Sequence, residues 1–234
     1  EAALAQHFPR ARILRIDRDS TRRKLSWHAM RRQIRAREID ILVGTQILAK
    51  GHDFPHLNLV GVVNADSLLY STDFRAPERL FTLLTQVAGR AGRGDMQGEV
   101  LIQTEFPQHP LYAALQRQDY AAFARNLIAE RQQAGFPPFV YQALLRAEAP
   151  KLETALAYLA RAARLARTLA QGVTIYDPVP AGMVRLAGRE RAQLLVQAES
   201  RARLQGFLAA WHARLAAEPA TRARWSLDVD PLEF

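Results

Sequence analysis

Residues 86–93 read Gln-Val-Ala-Gly-Arg-Ala-Gly-Arg, with two arginines three residues apart, a glycine before each, and a glutamine four residues before the first. Guanidinium groups are planar forks that match phosphate oxygens in pairs. Glycines at 89 and 92 remove side chains where a phosphate chain would lie. Gln86, Arg90 and Arg93 together suit a surface that closes on a nucleoside triphosphate held by another domain. An arginine poised on a γ-phosphate stabilises the phosphoryl-transfer transition state by roughly a thousandfold to a hundred-thousandfold in rate. A second stretch, Gly44-Thr-Gln-Ile-Leu-Ala-Lys-Gly-His-Asp-Phe-Pro55, offers short polar side chains and bare backbone at what reads as a strand end. Thr45 and Gln46 suit contacts to a phosphodiester chain, and Lys50 adds a charge nearby. His52 has no second ligand at a metal-binding spacing.

Elements must hold these stretches. Residues 1–107 read as alternating α and β. Residues 12–16, 40–44, 57–63 and 99–104 are short apolar or β-branched strands. A helix capped by Ser26 turns Trp27, Met30 and Ile34 inward. A helix from Pro77 to Gly89 has Leu80, Leu83, Leu84 and Val87 on one face and sets Gln86 and Arg90 one turn apart. Strands separated by helices predict a parallel sheet covered on both faces. Residues 108–140 read as a helical connector: Pro110 opens one helix, Asp119 caps another that ends at Gly135, and Phe136-Pro-Pro-Phe139 stops regular structure. Residues 141–234 give the order β-α-β-β-α-β. The strands are 141–149, 173–176, 191–198 and the alternating Trp225, Leu227 and Val229. One helix precedes Gly172, and the other is capped by Ser200 and carries Leu204, Phe207, Leu208, Trp211 and Leu215 at core spacing. That order predicts a ferredoxin-like α+β sandwich.

The chain has 234 residues, no cysteine, and 32 basic against 23 acidic residues. Absent cysteine excludes disulfides and thiolate metal sites and is compatible with a reducing cytoplasm. No run is long enough to span a bilayer, and no secretory signal pattern occurs. The arginine excess fits a polyanionic partner or, equally, genomic base composition. Eleven basic residues between Arg10 and Arg37, against Asp17 and Asp19, form either a strand-facing surface or a solvated helix face. Residues 1–8 read as the second half of a helix, as expected of a piece of a longer chain.

Residues 86–93 resemble motif VI of superfamily 2 helicases, and residues 44–55 resemble motif V, in the order found on the second of two RecA-like motor lobes. Together with Asp73-Phe-Arg-Ala-Pro-Glu-Arg79, Pro137-Pro-Phe139 and Trp225-Ser-Leu-Asp-Val-Asp-Pro231 they resemble the PriA family of primosomal replication-restart helicases across nearly the whole chain. The resemblance implies a partial RecA-like lobe 2 over 1–107 and a C-terminal DNA- and partner-binding domain over 141–234. It implies that Arg93 is the finger on the γ-phosphate, with Arg90 and Gln86 at the same nucleotide. It makes Gly51 and Asp53 the positions that couple nucleotide state to the lobe interface, and Thr45 and Gln46 positions facing single-stranded DNA. The parent would be an ATP-dependent 3′-to-5′ helicase that recognises abandoned forks and assembles the primosome. ATP and Mg²⁺ would be held mainly by the first lobe, and zinc by a cysteine-rich insertion absent from this chain.

No Gly-x-x-x-x-Gly-Lys-Ser/Thr loop and no magnesium-holding acidic pair occurs here, so this stretch alone is expected not to hydrolyse ATP. The family also implies binding of forked DNA and of the acidic tail of single-stranded DNA-binding protein. Arg201 and Gln205, one turn apart at a helix start, are its candidate contacts, a solvated helix N-terminus being the plainer reading. Another superfamily 2 translocase, such as a branch-migration enzyme, fits less well with the C-terminal strings. A non-catalytic binding module built on a motor lobe remains the reading from a different class.

Overall fold

A computed structural model describes residues 2–16, 24–44, 56–71, 73–89, 91, 98–219 and 221–232, with side chains undescribed at 24–27. The chain divides into two compact units, one of residues 1–71 and 75–123, the other of 72–74 and 124–234. Of the helices expected as a connector, α5 (Pro110–Gln116) lies in the first unit, while α6 (Tyr120–Ala134) begins in the first and continues in the second.

The first unit runs α1 (Ala2–His7), β1 (Ile13–Ile16), α2 (Lys24–Arg35), β2 (Ile41–Gly44), β3 (Leu59–Val62), α3 (Asp66–Leu69), α4 (Ala76–Ala88) and β4 (Glu99–Ile102), followed by α5. β1 pairs with β2 and β3 with β4, both in parallel, in registers that run from Ile13↔Ile41 to Ile16↔Gly44 and from Leu59↔Glu99 to Val62↔Ile102. A parallel pair needs a crossover, and helices supply each one, as the β-α alternation requires. α4 buries Leu80, Phe81 and Leu84, the stripe read from the sequence with Phe81 added. α2 starts at Lys24, two residues before Ser26, so Ser26 lies within its first turn and is not its cap. α3 is a further short helix, absent from the sequence reading.

Caps decide the next helices. The His109 Nδ1 accepts from the Leu111 N–H at 3.2 Å, and Pro110 occupies the first helical position, where a missing N–H costs nothing. Asp119 caps α6 through a 2.8 Å bond from the Ala122 N–H to its Oδ1. Gly135, at φ 65°, ends α6, and the Phe136 N–H turns back to the Arg131 carbonyl at 2.8 Å. This left-handed closure is one that a Cβ disfavours.

In the second unit, β5 (Tyr141–Ala149), α7 (Leu152–Leu169), β6 (Thr174–Ile175), β7 (Val179–Leu186), β8 (Arg189–Ala198), α8 (Arg201–Ala217) and β9 (Arg224–Val229) form one antiparallel sheet with two helices. Its order, β6-β8-β5-β9, is the second-third-first-fourth order of a ferredoxin-like sandwich. β7 is an addition that the sequence reading lacks. It extends the edge beside β8, with a register shift between Pro180 and Arg185. It closes on β8 through Ala187 and Gly188, both at positive φ as a type I′ turn requires. On one face of β5 and β8 every second residue is small or aliphatic, among them Ala143, Leu145, Ala147, Leu194 and Val196. The small members let α7 and α8 approach closely, and Leu204, Phe207, Leu208, Trp211 and Leu215 fill the space. Ser200 occupies the N-cap position of α8, but its hydroxyl makes no capping bond. Val229 is exposed, so the inward alternation of β9 ends at Leu227.

Candidate functional site

Parallel pairing sets Ile16 and Gly44 side by side at the carboxyl ends of β1 and β2. In open α/β sheets that is the end at which ligands bind. The opposite end is tied down. Arg12, just before β1, meets Asp40, just before β2, through Nε and Nη2 at 2.9 Å each, and its backbone N–H donates to Oδ2 at 2.8 Å. The Arg12 hydrogen bonds hold the Asp40 carboxyl well below the usual carboxylate range, and Asp40 in return raises Arg12. Arg12 is thereby withdrawn from the basic run between Arg10 and Arg37. Arg37 is engaged too, with Nη2 3.1 Å from His56 Nε2.

The carboxyl ends of β3 and β4 are joined by a carboxylate. Asp66, at the start of α3, accepts from the Thr104 hydroxyl at 2.6 Å and from the Glu105 N–H at 2.7 Å. Both bonds favour the charged form, the hydroxyl most, and lower the Asp66 pKa. Burial raises the neighbouring Tyr112 phenol above its ordinary value.

α4 delivers Gln86 in its last turn, exposed, on the side opposite the buried Leu80 and Leu84. The helix ends at Ala88, and the Gly89 N–H closes it on the Thr85 carbonyl at 3.0 Å. Arg90 therefore follows the helix rather than extending it, and its one-turn spacing from Gln86 does not follow from α4. Arg90 and Arg93 lie outside the described residues, as do Thr45, Gln46, Lys50, Gly51 and Asp53.

In the second unit Arg201 opens α8 and Gln205 follows one turn on, both exposed. The Arg201 guanidinium is 5.6 Å from the centre of the Tyr141 ring and 3.4 Å from Asp230 Oδ2. Sequence reasoning named Arg201 and missed both neighbours, which reach it from β5 and from the turn after β9. The string around Asp230 was the available signal.

Two family models match in succession. The helicase conserved C-terminal domain matches residues 4–95, and the primosomal protein N C-terminal domain matches residues 132–232. Among curated relatives, the replication restart protein PriA of Haemophilus influenzae is 44% identical over the whole chain, which covers 32% of that protein. Its namesake in Synechocystis is 43% identical over 83% of the chain and 24% of the relative, and that in Bacillus subtilis 35% identical over 89% and 26%. The chain thus spans about a third or less of the length of these relatives. Among the described residues no helix is long and apolar enough to cross a membrane, and no cluster of metal-ligating side chains occurs. With a parallel α/β unit matching the helicase domain, a ferredoxin-like unit matching the primosomal one, and close relatives along its full length, the chain belongs to the PriA family of replication restart proteins.

Proposed function

We propose that this chain is the arginine-bearing second motor lobe and the C-terminal domain of an ATP-dependent 3′-to-5′ DNA helicase. In this reading the helicase recognises stalled or abandoned replication forks in the cytoplasm and starts primosome assembly there. The succession of the two domain matches, with relatives named for replication restart along the full chain, carries this reading. The site's donor set supports it. The chain contributes guanidinium, amide and backbone N–H groups, which are ligands for phosphate oxygens and not for a metal ion. ATP and Mg²⁺ therefore fall mainly to the other lobe. Arg93 meets the γ-phosphate as charge develops on it, with Arg90 and Gln86 alongside. Gly51 and Asp53 pass closure of the lobes to Thr45, Gln46 and Lys50, which hold the DNA strand by its phosphates. In the second unit, Arg201 and Gln205 take the acidic tail of single-stranded DNA-binding protein.

The test uses the longer protein and this chain side by side. Arg93→Ala in the longer protein lowers DNA-stimulated ATP hydrolysis by roughly a thousandfold and leaves single-strand binding within about twofold. This chain alone hydrolyses no ATP. Near-normal turnover in that variant removes the finger assignment, and ATP hydrolysis by this chain alone removes the division of labour between lobes.

A further inference from the structure

Residues 72–74 interrupt the first unit and are built into the second, after which the chain returns to the first as α4. Phe74 is held on three sides. Its ring stacks on Phe136 with centroids 5.4 Å apart and planes 14° apart. The Arg131 guanidinium lies 5.0 Å from the centre of the same ring, and Arg131 Nη2 donates to the Phe74 carbonyl at 3.5 Å. Phe136 reaches this position because Gly135 reverses the chain immediately after α6.

The same helix reaches α4 a second time. Phe123, in the first turns of α6, stacks on Phe81 of α4 at 4.4 Å and 13°, and Tyr120 packs on Phe81 at 5.6 Å. α6 is one continuous helix that belongs to the first unit up to Phe123 and to the second from Ala124. It therefore grips α4 in its second turn and the residue two places before α4 begins. A helix fixed at two points cannot tilt without breaking one of them.

We infer that Phe74 and Arg131 are positioning residues for residues 86–93, and that α6 is the strut through which the second unit acts on that stretch. The inference rests on the function proposed above. From Ala76 to Gln86 is about 15 Å along the helix at ~1.5 Å per residue. A tilt of about 5° at its start moves Gln86 by about 1.3 Å, on a scale where 1 Å of misplacement costs up to ~100-fold in rate. Neither Phe74 nor Arg131 touches nucleotide, so their loss acts on turnover and leaves ground-state binding alone.

The experiment measures steady-state ATP hydrolysis with saturating single-stranded DNA by the full-length protein, as wild type, Phe74→Ala, Phe74→Tyr, Arg131→Lys and Arg93→Ala. Phe74→Ala lowers kcat about tenfold, with KM for ATP and DNA affinity within about twofold. Phe74→Tyr keeps the aromatic stack and restores kcat. Arg131→Lys keeps the charge, loses the planar face and gives an intermediate kcat. If Phe74→Ala does not fold, Arg131→Lys decides alone: a kcat reduced at unchanged KM supports the strut, and a wild-type kcat overturns it. A Phe74→Ala kcat within about twofold of wild type overturns it as well, provided Arg93→Ala is inactive. An active Arg93→Ala instead removes the underlying reading of the arginines.

Discussion

Tyr158 lies on α7 against the core of the second unit, 6% exposed, and its hydroxyl has no hydrogen-bond partner among the described residues. Burial pushes its pKa up to about 12. The charge of Glu218 adds to the rise, and Arg161, 5.7 Å from the ring centre, opposes it. Tyr158→Phe removes the unpaired hydroxyl and keeps the ring, its volume and the cation contact. An unsatisfied buried hydroxyl costs about 1–3 kcal/mol in desolvation, so the variant is expected to be more stable at pH 7 by ~1 kcal/mol. The alkaline limb gives an independent check. The unfolded phenol ionises near its ordinary value of 10.0 and the folded one near 12, so protons leave the unfolded state first. The wild type's stability contribution from this group is intact below the lower value and is lost as pH rises towards the upper one. Phenylalanine has no such limb. Urea unfolding followed by tryptophan fluorescence at pH 7, 9, 10.5 and 11.5 reads this unit well, because two of the three tryptophans, Trp211 and Trp225, lie in it. The remaining tyrosines titrate in both proteins and cancel in the difference. A variant less stable than wild type at pH 7, or a difference that does not grow above pH 10, would mean that the hydroxyl is bonded in solution and the reasoning fails.

Two further outcomes are expected. Asp66 has a lowered pKa in the folded state, so its contribution is present above the ordinary 3.8 and disappears as pH falls through the folded value. Thermal melts between pH 7 and 2.5 should therefore show Asp66→Asn less stable at neutral pH and the gap closing in acid, and a gap independent of pH argues against the assignment. At α8, Asp230 competes with any incoming carboxylate for Arg201, and an exposed pair of this kind is worth about 0–1 kcal/mol. Asp230→Asn should tighten binding of an acidic peptide with a free C-terminal carboxylate by up to about fivefold, while Arg201→Ala weakens it about tenfold. Fluorescence anisotropy with a labelled peptide measures both, and equal affinities across the three proteins would dismiss the site.

Local rules carried the fold where they were sufficient. The strands of the first unit announce themselves as apolar runs between turn residues, and α8 as five core residues at helical spacing. β7 was illegible because Val-Pro-Ala-Gly-Met-Val-Arg-Leu carries a proline and a glycine that argue against a strand interior. An edge position with a register shift accommodates both, and only pairing with β8 reveals it. Ser26 looked like a cap because composition marks caps only to within a turn. The contacts that organise each unit span distances no periodicity encodes. Arg12 and Asp40 are 28 residues apart, and Arg131 and Phe74 are 57 apart.

The glycines of the chain separate two kinds of sequence signal. Gly135 is required by the fold, since φ 65° at the end of α6 is a conformation that side chains rarely adopt. Gly89 is different. Its φ of −67° suits any residue, and a Cβ placed there would lie 3.5 Å from the Thr85 carbonyl oxygen and 3.8 Å from that of Gln86, ordinary van der Waals contact. Alanine would also continue α4 at less entropic cost than glycine, by about 0.5–1 kcal/mol. A bare backbone at 89 is thus unexplained by the conformation and the neighbours of this chain. It is explained by close approach of something the chain does not itself contain, between an exposed glutamine and the arginines that follow. The stretch most legible in the sequence is therefore the one whose residues owe least to the fold around them.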